Sequence, residues 1–144
     1  MPPRDPTLAR TSIDHHQGLA RARALQRAAR GGGDVRERAG RAFVEYFDAE
    51  VLPDCRDEER TLFPLMLAHH APAELVTLTL AEHEWLQVLV RRLRSSLEEG
   101  APDGRTLEAI ASLLLRHIAR EELELMPFVR GRSAEPSRPS VVPV

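Results

Sequence analysis

EERTLFP at residues 58–64 and EELELMP at residues 121–127 are two versions of one heptapeptide, set 63 residues apart. Each opens on a pair of Glu and closes on an apolar residue followed by Pro. Four residues before the second copy stands His117, giving HxxxE; the matching position of the first copy is Asp54, giving DxxxE. On an α-helix, residues i and i+4 share a face and lie about 6 Å apart along the axis. Each copy therefore aims two ligand-type side chains at one place. The repeat predicts two similar helical hairpins facing a common interior.

The sequence around the heptapeptides divides accordingly. Breaks at GGGD (31–34), HHAPAE (69–74) and EEGAPDGRT (98–106) separate four segments, roughly 11–30, 34–67, 72–99 and 104–129. Asp34 is the expected N-cap of the second helix. All four segments are rich in Ala, Leu, Arg and Glu, and none alternates as a strand does. Short connections between long helices make neighbours antiparallel, so the expected fold is all-α, an up-down-up-down four-helix bundle. Residues 1–10 are expected to be a flexible lead-in, 11–130 the bundle, and 131–144, rich in Pro and Ser, a disordered tail. Pro53 interrupts the long second helix and predicts a kink or bulge near Val51 to Asp54.

Three apolar stripes carry residues of the wrong kind. The second segment reads Phe43, Phe47, Val51, Asp54, Glu58, Leu62, Leu65; the third Val76, Leu80, His83, Leu86, Val90, Leu93, Leu97; the fourth Leu107, Ile110, Leu114, His117, Glu121, Leu125, Phe128. A buried carboxylate without a partner costs several kcal/mol, so three carboxylates and two histidines on core-facing stripes call for a joint explanation. The first segment adds a sixth. Asp14-His15 matches Glu82-His83, and turning His15 inward brings Gly18, Leu19, Ala22, Leu25 and Ala29 with it. Turning His16 inward would bring Arg23 and Arg27. His15 is therefore the inward residue and His16 its solvent-facing neighbour. Imidazole and carboxylate converging from four helices suit a pair of metal ions, iron first, with manganese or zinc as competitors.

Composition narrows the remaining classes. A net charge of −2 with interspersed signs gives no global field toward nucleic acid or an acidic membrane surface. All 20 basic side chains are Arg. No apolar run approaches the roughly 18 residues that span a bilayer, and the N-terminus lacks a secretion signal. The single Cys55 fits a reducing compartment, so a cytoplasmic location is expected.

DHHQGL (14–19), EVLPDCRDEERTLFP (50–64), AEHEWL (81–86) and RHIAREELELMP (116–127) together resemble the hemerythrin-like HHE cation-binding domains, in the family's order and approximate spacing. The resemblance implies a non-haem di-iron centre held by His15, Glu58, His83, His117 and Glu121, with Glu58 and Glu121 bridging the two ions. It also implies reversible O₂ binding, sensing, or handling of iron, peroxide or nitric oxide. Two positions depart from the family. Asp54 stands where the family has the His of its first HxxxE motif, and Gln87 where oxygen carriers have a second His one turn after the first. Asp54 is shorter than His, so it reaches an ion only if the backbone shifts at Pro53, or acts through water. A third carboxylate favours Fe(III) over Fe(II), which argues against reversible O₂ carriage.

The expected function is a di-iron protein that binds, senses or detoxifies O₂, peroxide or NO. Its alternatives are an iron-binding module without turnover and a metal-free interaction bundle. Glu59 and Glu122 are read as solvent-facing or as supports for a ligand His, and His69 and His70 as helix-closing residues. Trp85, Phe43, Phe47, Phe63 and Phe128 are read as packing that keeps the centre dry. Cys55 is read as pointing away from the site.

Overall fold

The computed structural model describes residues 6–129, with side chains from residue 15 onward, and no strand occurs among them. Four helices follow the three expected breaks. Helix α1 is Pro6–Ala29, α2 occupies 33–68, α3 is Ala73–Glu99 and α4 occupies 104–129. Helix α1 begins inside the stretch expected to be a lead-in, because Pro at the first helical position needs no amide partner. Residues 1–5 and the expected tail 131–144 lie outside the described residues. Asp34 is in the first turn of α2 rather than at its N-cap, which is Gly32 in an extended conformation. Asp103 does cap α4, accepting from the Thr106 amide at 2.8 Å. His70, with φ 67°, leaves α2 in the left-handed region, and His69 precedes it as the C-cap.

Helix α1 packs on α2 and α4, and α3 packs on the same two helices. Each helix thus neighbours those before and after it in sequence, and the first and fourth close the ring. At one end the approach is very tight. A Cβ on Gly104 would sit 2.5 Å from the Ala29 carbonyl oxygen, so the α1–α4 crossing needs glycine there.

Helices α2 and α4 are not uniform. Three π-helical turns widen them, at Phe47–Val51, Glu58–Leu62 and Glu121–Leu125. Each ends two residues before a proline: Pro53, Pro64 and Pro127. Proline offers no amide to the carbonyl four residues back and its ring presses against it. Those carbonyls belong to Ala49, Arg60 and Leu123, the middle residue of each wide turn. The extra residue in the turn relieves the contact.

A wide turn also rotates everything after it by about 100° relative to an unbroken α-helix. This corrects the expected stripe of α2. Leu65 is 38% exposed, while Phe63 and Met66 are buried in its stead. Cys55, after the first wide turn, is buried as well. Helix α3 has no internal proline and keeps its expected face: Val76, His83, Leu86, Val90, Leu93 and Leu97 are buried and Leu80 is half-buried. Trp85 is 57% exposed and packs in no core, contrary to expectation.

The core is in two parts. A large cluster joins Phe43, Leu86, Val90, Leu93, Leu107, Ile110 and Leu114 with their neighbours. A smaller one gathers Leu62, Phe63, Met66, Val76, Leu125 and Met126. Between them along α2, α3 and α4 come Glu58, His83, His117 and Glu121, a polar layer across the bundle.

Candidate metal centre

Burial at the polar layer is nearly complete. His15, Glu82, His83, His117 and Glu121 are all buried, and Glu121 is fully so. His16 is exposed, in keeping with the phase of α1. Glu58 and Asp54 are half-buried.

The arrangement centres on Glu121. Its Oε1 accepts from His15 Nε2 at 2.7 Å. Its Oε2 lies 3.0 Å from His117 Nε2 and 3.9 Å from His83 Nε2. Neither approach makes a well-formed hydrogen bond, so Oε2 is a buried acceptor left without one. His83 Nε2 is 3.1 Å from Glu58 Oε1 and 3.2 Å from His117 Nε2. One ligand atom each from Glu58, His83, His117 and Glu121 lie within 4.8 Å of one another. Like atoms crowded together in the dry interior of a bundle, with one carboxylate oxygen unsatisfied, fit a cation. Mixed imidazole and carboxylate donors suit iron, manganese or zinc.

Each histidine is held from behind. His15 Nδ1 donates to Glu122 Oε1 at 3.0 Å, His83 Nδ1 to Glu59 Oε2 at 2.7 Å, and His117 Nδ1 to Glu82 Oε1 at 3.0 Å. These bonds turn every Nε2 inward and fix the ring planes, the support that metal-bound imidazoles characteristically receive. Glu59 and Glu122 thus carry the supporting role, and neither is simply a solvent-facing residue. Glu82 escaped the sequence reading because it precedes His83 in the chain yet serves His117 on the neighbouring helix. Arg120 in turn donates to Glu82, at 3.2 and 3.3 Å, and so fixes the support. The Phe63 ring stacks on His83 with centroids 5.5 Å apart, screening it from the outside.

Of the six expected site residues, His15, Glu58, His83, His117 and Glu121 converge. Asp54 is placed differently. It lines a cavity of about 270 Å³ beside the cluster, together with His15, Cys55, Asp57, Glu58 and Thr61. Cys55 faces this cavity, contrary to expectation, because the wide turn at Phe47–Val51 rotates it inward. Burial, with Glu58 and Glu121 nearby, pushes its thiol far above the ordinary range, so it stays protonated.

Protonation follows the geometry. Burial works against a charged His117, but Glu121 and Glu82 outweigh it and hold the ring at about 9. His15 is raised despite burial through Glu121 and Glu122. His83 is lowered by burial and by the charge on His117. Glu121 stays ionised against burial because His117 and His15 surround it. Without a cation, then, protons on His15 and His117 balance the buried carboxylate. A cation must displace them, because imidazole ligates only when neutral. Metal uptake is expected to release protons and to tighten as pH rises from 6 toward 9. Metal affinity measured at several pH values checks this, and an affinity that weakens with rising pH contradicts it.

Residues 4–129 match the hemerythrin HHE cation binding domain family. No curated protein and no solved structure gives a significant match to the chain.

Proposed function

Since this chain belongs to the hemerythrin HHE cation-binding family, we propose that it is a non-haem iron protein that binds, senses or detoxifies a small oxidant or gas. O₂, peroxide and NO are the reactants this reading names, and reversible O₂ carriage is not among them. The observation that carries it is the buried Glu121, whose two oxygens face His15 on one side and His117 and His83 on the other. From that position Glu121 would hold iron together with Glu58, His15, His83 and His117. Iron bound there would supply the redox chemistry.

The chain's own residues do the rest. Glu122, Glu59 and Glu82 orient the three imidazoles, Phe63 covers His83, and the two apolar clusters flank the polar layer. The cavity beside Asp54 leaves room for a small molecule at the cluster's edge. Among the described residues no helix is long and apolar enough to cross a membrane. A cytoplasmic location is part of the proposal, in keeping with the single Cys55.

Iron held without turnover is the second reading, favoured by the carboxylate at position 54, which would stabilise Fe(III) against reduction on reaching the ion. Metal analysis of the purified protein separates the two. About two irons per chain, with near-ultraviolet charge-transfer absorption that changes on adding peroxide or NO, is the expected result. Iron that stays inert to both leaves the second reading. A folded chain that refuses iron rejects both.

A further inference from the structure

The cavity has an origin in the repeat. Relative to the second hairpin, its wall carries Asp54 for His117, Cys55 for Ile118, Asp57 for Arg120 and Thr61 for Glu124. All four replacements are shorter or smaller. On the second hairpin, His117 and Arg120 converge on Glu82 and fill the matching positions with longer side chains. On the first hairpin the same positions leave a space of about 270 Å³, room for several water molecules. Thr61 is exposed and the Asp57 side chain is 42% exposed, so the space opens to solvent between them.

The two sides of Glu121 are therefore unequal. On one, Glu58, His83, His117 and Glu121 already bring four ligand atoms within 4.8 Å, two of them imidazole nitrogens locked from behind. On the other, His15 is the imidazole bonded to Glu121 Oε1, and the cavity wall sets Asp54 beside it, with the edge of His117 reaching the same space. Four carboxylates, Asp54, Asp57, Glu58 and Glu121, line that cavity and favour cations over anions within it. Glu121, fully buried, forms its floor and turns Oε1 toward His15 there.

Resting on the metal-binding reading above, we infer that the two metal positions differ in kind. The position enclosed by Glu58, His83, His117 and Glu121 is permanent. The position between His15, Asp54 and the bridging carboxylates is exchangeable, filling second and emptying first through the opening at Asp57 and Thr61. The chain thereby moves between one-ion and two-ion states as free divalent cation rises and falls.

Ferrous iron titrated into the metal-free, full-length chain without oxygen, followed by a ferrous chelator, tests this by ion release over time. Two phases of equal size are expected, the faster at least about tenfold faster than the slower, as for loss of one supporting group at a metal site. Asp54→Asn should remove the fast phase and leave the slow one in place. Asp54→His, which adds the missing imidazole, should bring the fast phase toward the slow. Release of both ions in one phase, or a fast phase that neither variant alters, overturns the inference. A native chain that retains no iron shows neither phase, and fails the metal-binding reading itself.

Discussion

Glu121→Ala is expected to abolish iron retention while leaving a helical chain. The two oxygens of Glu121 reach histidines of three helices: His15 of α1, His117 of α4 itself and, at longer range, His83 of α3. Losing a supporting group at a metal site typically costs 10- to 100-fold in affinity, so a bridging ligand should cost at least about 100-fold. The metal-free protein should respond too, and the direction depends on pH. His15 and His117 are raised above the ordinary histidine value of about 6.5 largely by Glu121. A raised group contributes its full stabilisation below its unfolded value and loses it as pH climbs through its folded one. The Glu121→Ala chain should therefore be less stable than the native metal-free chain by about 1–3 kcal/mol near pH 6. The gap should close as pH approaches 9, the value at which His117 releases its proton. Chemical denaturation of both metal-free proteins at pH 6 and pH 9 measures it. An equal gap at both values would show that Glu121 acts by packing alone.

Leu93→Ala should do the reverse, weakening the fold and sparing the site. Leu93 is fully buried in the larger cluster, and a Cβ placed on Gly40 of α2 would come within 3.1 Å of its Cδ1. The contact is that close, so the neighbours cannot collapse far into the space a truncation leaves. A Leu-to-Ala change at such a site costs about 2–5 kcal/mol. Leu93 lies ten residues beyond His83 on α3, about 15 Å along the axis. Iron per folded chain should stay at the native value while the unfolding midpoint drops. Loss of iron in step with stability would mean that the polar layer is held by the whole core rather than by its own bonds.

What the sequence made legible follows from periodicity and its failures. The four helices, the inward His15 and the clustering of Glu58, His83, His117 and Glu121 were all readable, because helical spacing and the repeat constrain them independently. Leu65, Cys55 and Trp85 were misplaced. For Leu65 and Cys55 the cause is the wide turns, which break the period that the reading assumed. The signal was present: a proline six residues after Phe47, Glu58 and Glu121 marks the start of each wide turn. Aromatic character alone points Trp85 to the core, whereas the stripe through His83 and Leu86 leaves it on the outer face. The supports Glu59, Glu82 and Glu122 could be seen as acidic neighbours of ligands. Which histidine each serves depends on how the helices cross, and that has no trace in local spacing.

The wide turns also keep a record of ancestry. The turns beginning at Glu58 and Glu121 stand at the same place in both hairpins, each with its proline six residues on. Two matching wide turns are what duplication of a single hairpin would leave in both halves. The turn at Phe47–Val51 has no such twin: the equivalent residues 110–114 are ordinary α-helix, and Arg116 stands opposite Pro53. That third insertion therefore belongs to the first half alone. It lies just upstream of Asp54 and Cys55, the residues that distinguish its wall from the other hairpin's. The wide turn without a twin and the Asp that stands opposite His117 share one short stretch, so the two hairpins differ in backbone and in ligand type at the same place.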